Sequence, residues 1–434
     1  MASYISSRAV SLRTLLFAAT AAGPLLAFSP VAAPFAGAGT LASALSQDVT
    51  LENIVVKKDD KGSVTITKAV FEGTNLSKEE IAKLFSATTS KEENGALVAK
   101  LSAAKISIPE ISVTNDKNVV TLRDFTAVNV NAGKAATAGV AGFDAAVKID
   151  SGDVAVKGGA LTISDPDFST LIAGLNSGDI TRGAFRYSKF DWAGLNAVFP
   201  DPQTPKGAPG GNLVQLAVGA LTSTASYDGD AFRKGDASLK SIVVIFPRAS
   251  SAGQALAAFG YERLDLGLSF AGDYDPASKK LNVTDYTLSG VNMGAFGIKA
   301  QLGAIDKEMF GAGDPVKRAA AWAKGELSLL TLKYVNNGLF EKSAAFLAAQ
   351  QKKTPDALKK EWAGMAQGVI PAMLGGSPDA KKLADAVAAF IGNPKSLTIT
   401  AKAKGGAIPF AEMKDMKSPL ELLPRVDLSA SANQ

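Results

Sequence analysis

The 434-residue chain is 47% hydrophobic and 20% charged, an ordinary globular composition long enough to bury a substantial core as one large or two ordinary domains. It contains no cysteine and no histidine, which excludes disulfides, thiol nucleophiles, iron–sulfur ligation, the Ser-His-Asp triad and imidazole zinc sites. Its formal charge of +5 comes from scattered lysines, with no basic run interleaved with aromatics, so no nucleic-acid partner is expected.

Arg8 and Arg13 precede an apolar run from Thr14 to Phe28 and then a small-residue stretch, the pattern of a secretory signal. Ala42-Ser43-Ala44 fits an A-x-A cleavage site, with Ala36-Gly37-Ala38 as a second candidate. Residues 1–44 are therefore expected to be a signal peptide, with Ala42 and Ala44 at the cleavage site and the periplasm as destination. Cleavage there removes two arginines and no acid, taking the charge from +5 to +3 (5 − 2). The competing reading is a retained anchor, against which Pro24, Pro30 and Pro34 break the apolar stretch before the ~20 residues a membrane helix needs. No later segment is of spanning length, so at most peripheral membrane contact is expected.

From Asp48 to about Asp165 the alternation has period two, which predicts half-buried strands. Val49 to Leu76 reads as two strands around a charged turn at Lys57 to Gly62. Ser77-Lys78-Glu79-Glu80 is a capping box opening a helix. Strands resume with "KISIPEISV" and "NVVTLRDFTAVNV" and continue through the Gly- and Ala-rich stretch to Ala160. Asp165-Pro166 is expected to cap a short helix, and "AFRYSKFDWAGLNAVF" to be a strand entering another.

"PDPQTPKGAPGG", Pro200 to Gly211, reads as a linker, dividing a β-rich domain at 45–199 from an α+β domain at 212–434. "NLVQLAVGALTS" is expected as a short helix, followed by strands through "ASLKSIVVIF" and "LSFAGDYDPASKKLNVTDYTLSG". From Asp314 the chain turns helical: Asp314-Pro315, Thr354-Pro355 and Ser377-Pro378 each pair a cap with a proline at the first helical position, and Gly392 and Pro394 mark a stop. Strands in "KSLTITAKAK" and "ELLPRVDLSA" close the chain. The expected fold is α+β, with mostly antiparallel, strongly curved β-sheets, short helices and a helical block near the C-terminus.

The strands carry a recurring unit. "VTITKAVFEGTNL" from Val64 and "LNVTDYTLSGVNM" from Leu281 match in kind, with "VTLRDFTAVNV" from Val120 a shorter version. Val64, Ile66, Val120, Leu122, Leu281 and Val283 share one parity, whereas Phe125, Tyr286 and Leu288 take the other. A one-residue slip reverses the face, so a bulge or bend is expected near Lys68, Asp124 and Asp285, curling the strands around an apolar surface. Phe125, Phe270, Tyr286, Leu288 and Phe296 are the candidate lining of an apolar groove.

Catalytic chemistry finds little support. A calcium loop starting at Asp273 has Asp275 at position 3 but Ala277, Ser278 and Thr284 at positions 5, 6 and 12. Asp275-Pro276 suits a type I turn instead. Ser102-Ala103-Ala104-Lys105 satisfies S-x-x-K without the S-D-N and K-T-G elements that accompany it, and no phosphate-binding glycine loop is present. The acid pairs Asp59-Asp60, Glu79-Glu80 and Glu92-Glu93 fall in turns or helix starts, and Tyr187, Phe190 and Trp192 suit core packing as well as a cleft. No catalytic residue, cofactor or metal is expected.

"GELSLLTLKYVNNGLFEKSAAFLAAQQKKTPDALKKEW" resembles the C-terminal region of the YdgA-like family of bacterial envelope proteins: a strand ending in an aromatic, an Asn-Gly-Leu connection and two helices. "YDPASKKLNVTDYTLSG" resembles strands of that family and of the AsmA-like envelope proteins. The resemblance covers about a third of the chain and implies a β-rich, signal-bearing periplasmic protein, in some relatives with an apolar groove formed by curled sheet. The chain departs from both patterns in lacking an obvious retained anchor and in its more helical C-terminal block. The expected function is that of a non-enzymatic exported protein binding a lipid or other apolar ligand. The alternatives are an interaction protein with an envelope partner and a hydrolase using carboxylates or Ser102 and Lys105.

Overall fold

A computed structural model describes residues 46–434 other than 60–61, 116–117, 150–151, 170–185, 206, 230, 311–314 and 417. The chain forms two compact units, one running to Phe143 and including Thr162–Tyr187, the other comprising Asp144–Leu161 and Ser188–Gln434.

The first unit is an antiparallel meander of β1 (Gln47–Asp59), β2 (Gly62–Thr74), β3 (Ser102–Asn115) and β4 (Asn118–Asn131), with β5 (Thr137–Val140) paired to β4. Helices α1 (Lys78–Leu84) and α2 (Lys91–Lys100) sit between β2 and β3. The expected capping box forms at α1: Ser77 Oγ accepts the Glu80 N–H at 3.2 Å and the Glu80 carboxylate accepts the Ser77 N–H at 2.9 Å. Ile81, Leu76, Leu97 and Leu101 bury their side chains with Phe71, Ile106 and Ile108 of the sheet. This gives the sheet the apolar cover that a two-sided meander lacks.

That core needs apolar residues of both parities on one face, and the backbone supplies the correction. Asp124 has φ +50°, and its neighbours pair as Ile108 with Phe125 and Glu110 with Arg123, leaving Pro109 opposite it without an N–H to donate. Phe125 beyond the break packs on the core. Near Lys68 the ladder to β3 is interrupted between Ile66 and Val70 without a change of register, while Asn53 on β1 has φ +55°.

The expected helix cap at Asp165 does not form. Asp165 has φ +49° and its N–H donates to the Ala136 carbonyl at 2.8 Å, a backbone direction that extends pairing rather than starting a helix. Asp167 does the local organising: its carboxylate accepts the Ser169 hydroxyl at 2.5 Å, the Ser169 N–H at 3.0 Å and an Arg186 N–H at 2.8 Å, with the Lys134 ammonium at 3.4 Å. Burial pushes this carboxyl up, but the Ser169 hydrogen bonds and the Lys134 and Arg186 charges outweigh it and hold the group below its usual range.

The strand β6 (Gly142–Ile149) crosses the boundary at 143/144, and β8 (Leu161–Ser164), paired with β5, belongs to the first unit from Thr162 on. In the second unit β7 (Gly152–Gly158), β9 (Lys189–Trp192), β10 (Leu195–Pro200), β11 (Leu213–Val218), β12 (Leu221–Asp228) and β13 (Ala231–Ile245) lead to α3 (Ser251–Ala258). Then come β14 (Leu264–Asp275), β15 (Lys280–Gly290), β16 (Gly294–Gly303), a 3-10 turn at Lys307–Phe310, α4 (Pro315–Ala323) and β17 (Glu326–Asn336). Helices α5 (Leu339–Gln350), α6 (Pro355–Met373) and α7 (Pro378–Gly392) precede β18 (Ser396–Ala403), β19 (Ile408–Pro409), α8 (Phe410–Lys414), a 3-10 turn at Pro419–Arg425 and β20 (Val426–Ala432). The antiparallel order is β7-β10-β11-β13-β14-β15-β16-β17-β18-β20, with β12 continuing β11 along β13 and β9 continuing β10 along β12.

Three expectations are corrected here. The segments read as short helices after Trp192 and from Asn212 are strands, because Ala197 and Val214 bury alternate positions across the pairing of Leu195 with Val218 and Pro200 with Leu213. Alanine- and glycine-rich runs satisfy both periodicities, and the partner strand decides. The Pro200–Gly211 linker is instead a hairpin loop, closed by the Asp201 N–H on the Asn212 carbonyl at 2.7 Å and by the Thr204 hydroxyl on the Asp201 carboxylate at 2.7 Å. The two units therefore divide at 143/144, 161/162 and 187/188, not within 200–211.

The later helices start where read: Thr354 Oγ1 accepts the Ala357 N–H and Ser377 Oγ accepts the Ala380 N–H, each with proline at the first position. Gly392 is the last helical residue rather than the first beyond it, and Asn393 caps. The bulge expected at Asp285 is present: Ala271 pairs with Asp285 but Gly272 with Val283, so Thr284 is the extra residue.

The break between β9 and β10 rests on Gly194, whose φ is +95° and where an added Cβ would lie 2.0 Å from the Val218 carbonyl oxygen. Gly194→Ala is expected to destabilise the protein by about 3 kcal/mol or more, the sum of backbone strain and the clash. Gly364→Ala, in α6 with open space around its Cα, is expected to stabilise it by ~0.5–1 kcal/mol. Urea unfolding midpoints moving in opposite directions check both. Asp167→Asn is expected to cost about 2–3 kcal/mol at neutral pH by leaving Arg186 and Lys134 without their carboxylate. Because the folded carboxyl lies below the unfolded value of about 3.9, its contribution is fully present above that pH and is lost as pH falls through the folded value. Denaturation curves of the two proteins should therefore converge in acid; a gap independent of pH would contradict this.

Candidate functional site

Alternation along the strands and register across them combine into one apolar face of the second unit. Leu268 pairs with Leu288, Leu288 with Phe296, Phe296 with Tyr334, Tyr334 with Leu397 and Leu397 with Ala432. Two residues along, Ile298 pairs with Leu332, Leu332 with Ile399 and Ile399 with Ala430. In the other direction Leu268 pairs with Leu239, Leu239 with Leu221 and Leu221 with Trp192. The opposite face carries Ser269, Thr287, Lys333, Thr398 and Ser431 in register, so the sheet is sharply two-sided.

Most of a sheet face this apolar should be covered, yet Tyr286 is 42% exposed, Leu288 45% and Phe296 41%. Aromatic clusters close the face at both strand ends. At one, the Phe310 ring lies 5.3 Å from Phe232 and 4.7 Å from Tyr274, whose hydroxyl donates to the Ile305 carbonyl at 2.8 Å. At the other, Phe390 of α7 meets Tyr334 at 5.7 Å and Phe340 at 5.3 Å, while Trp362, Leu397 and Ala432 complete the packing.

Between these ends the β17-β18-β20 floor is hollow. A cavity of about 240 Å³ lies over Leu330, Leu332, Ile399, Ala401 and Leu428, with Leu422 and Leu423 of the Pro419–Arg425 turn among its walls. None of its lining residues is charged, and Ser328 is the one hydroxyl among them. On the same face, the Trp192 indole N–H is buried without a hydrogen-bond partner.

Four of the five predicted groove residues meet. Phe270 pairs with Tyr286, and Leu288 with Phe296, so these form one patch. Phe125 does not join them: it belongs to the first unit and packs on that unit's own core, because parity places it there once the Asp124 break has reversed the strand. Ala42 and Ala44 lie outside the described residues.

The cavity residues were not singled out from sequence, although alternation in "SLTITAKA" marks β18. Leu422 and Leu423 arrive from a segment with no period at all, and only topology brings them over the sheet.

The polar candidates have structural partners. Asp273 accepts a hydrogen bond from the Asn282 amide at 2.9 Å, and Asp275 accepts the Ala277 N–H at 3.1 Å and the Ser278 hydroxyl at 2.6 Å, the local bonds of a turn. The Ser278 hydroxyl, followed by the Ala277 N–H, holds the Asp275 carboxyl below its usual range. Asp285 at the bulge is lowered likewise by the Ser269 and Thr287 hydroxyls. Lys105 pairs with Glu72 at 3.7 Å, Ser102 donates its N–H to the Asn75 side chain at 2.8 Å, Glu80 completes its capping box and Glu93 pairs with Lys83 at 2.7 Å. No helix among the described residues is long and apolar enough to cross a membrane.

A search of curated proteins finds no match to the chain. A family model described as "Uncharacterized protein" matches residues 287–433, roughly a third of the chain. The matched segment starts at Thr287 on β15, so it takes in Leu288, Phe296, the helices α5 to α7 and the strands that floor the cavity.

Proposed function

We propose that this is an exported, non-enzymatic envelope protein whose second unit holds a lipid or other apolar molecule on a curved sheet face. The observation that carries the reading is the register-aligned apolar face from Trp192 to Ala432, with Tyr286, Leu288 and Phe296 left exposed at its middle. Ligand sites are mostly apolar concavities with few polar groups, and a patch left open on an otherwise polar sheet marks an interaction surface.

Curling of the sheet is supported by breaks at one level on three neighbouring strands, Gly159-Ala160, Ala193-Gly194 and Gly219-Ala220, joined by the Gly159 N–H on the Gly194 carbonyl and the Ala193 N–H on the Ala160 carbonyl, both 2.8 Å. The Thr284 bulge adds local twist on the strand bearing Tyr286 and Leu288. Export rests on the Arg8 to Ala44 signal pattern, and an envelope role on the resemblance to YdgA-like and AsmA-like proteins. The second reading, an interaction protein, takes the same patch as the seat of an envelope protein and shares its supporting observation.

Native mass spectrometry of protein purified gently from its own host is expected to show an added mass released by organic extraction. Leu288→Lys combined with Phe296→Lys is expected to lower its occupancy tenfold or more, since an apolar ligand covering this exposed patch would strip water from two ammonium groups and offer them no partner. A bare-chain mass under all mild conditions, with a stoichiometric protein crosslinked through Tyr286 in cells, would replace the ligand by a protein partner.

A further inference from the structure

We propose that the 240 Å³ cavity under the Pro419–Arg425 turn receives the distal end of the ligand's hydrocarbon chain and sets the longest chain the protein accepts. The inference rests on the apolar-ligand reading and deepens it by naming the chemical class, an amphiphile with a long unbranched acyl chain, and the residues that measure it.

The cavity's chemistry selects this occupant. Its walls are aliphatic apart from the Ser328 hydroxyl, so a charged or strongly hydrated headgroup entering it would lose its solvation without replacement. At ~30 Å³ per water, the volume equals roughly eight waters, too little for a whole lipid but ample for a chain end. Cavities lined this way stay dry and take apolar guests. Continuity supplies the path: the exposed Leu288 and Phe296 lead along β16 to Ile298, which pairs with Leu332 in the cavity wall. From β15 to β20 there are four inter-strand steps of ~4.8 Å, roughly 19 Å, the scale of an extended long acyl chain.

The turn above the cavity is held from its outer side. Lys404 Nζ donates to the Pro424 carbonyl at 3.1 Å and Arg425 pairs with Glu412, so Leu422 and Leu423 are fixed as walls. Ala401, between Leu330 on β17 and Leu428 on β20, is with Ala403 one of the two alanines of the floor. A larger side chain there fills the cavity from below.

The test is a binding series of saturated fatty acids from octanoate to stearate, measured by calorimetry on wild type, Ala401→Phe and Leu332→Ala. Each buried methylene changes affinity roughly fourfold. In wild type, affinity is expected to rise with length to a limit; in Ala401→Phe the limit moves to shorter chains, with roughly tenfold or greater loss for stearate and little change for octanoate. Leu332→Ala moves it to longer chains, and decides the matter alone if Ala401→Phe fails to fold. Variants that fold and keep the wild-type length profile overturn the cavity's role while leaving apolar binding intact. Wild type that binds no fatty acid of any length overturns the acyl-chain assignment, and the bare-chain native mass beside it removes the apolar-ligand reading itself.

Discussion

Every long strand in this protein faces one constraint: side chains alternate, so an apolar face survives an irregularity only if an extra residue restores the parity. The first unit shows the constraint met by polar residues in a left-handed conformation. Asn53 at φ +55°, Asp124 at +50° and Asn129 at +53° sit between apolar pairs of opposite parity, and asparagine and aspartate tolerate that region better than branched residues. Residues on both sides of these breaks then share the core that holds Ile66, Phe71, Ile106 and Ala127. Without the correction, half of each strand would bury its polar side chains and expose its aliphatic ones.

The second unit meets the same constraint with small residues. Gly159-Ala160, Ala193-Gly194 and Gly219-Ala220 fall side by side in adjacent strands, and the Gly159 position lies within 2.8 Å of the Ala193 Cβ if a Cβ is added. Strands that break together need room together. This also explains which parts of the fold were legible in the sequence. The hairpins around Asp275, the capping box at Ser77 and the proline-led helices at Thr354 and Ser377 each rest on interactions a few residues apart, and they stand where read. The segments at Ala193–Phe199 and Asn212–Ser223 are decided by distant partners, and their alanines and glycines gave no local reason to prefer a strand.

The site divides in the same way. Phe270, Tyr286, Leu288 and Phe296 lie on consecutive antiparallel strands joined by short turns, so sequence alternation alone brings them together. The cavity needs β17, β18 and β20, separated in sequence by the helices α5 to α8, the short strand β19 and one 3-10 turn, and its walls include Leu422 and Leu423 from a segment without periodicity. Phe125 fails for the complementary reason: its pattern matches the recurring unit, but the versions from Val64 and Val120 lie in strands that pack on the first unit's core, while the version from Leu281 carries the exposed Tyr286 and Leu288.

The open face bears on the choice between a protein and a hydrocarbon chain as its occupant. Protein interfaces carry about one hydrogen bond per 100–200 Å², supplied largely by a polar rim around an apolar centre. Here the backbone groups around Leu288 and Phe296 are already paired within the ladder, and the row through Leu332, Ile399 and Ala430 offers only aliphatic surface. Tyr286 is the exposed member with a polar tip, at the edge of the patch rather than over the cavity. Such a surface gains from covering by any apolar group but gives a protein partner little to fix its orientation. A flexible acyl chain needs no such fixing, and an aliphatic cavity at the end of the row gives it a place to stop.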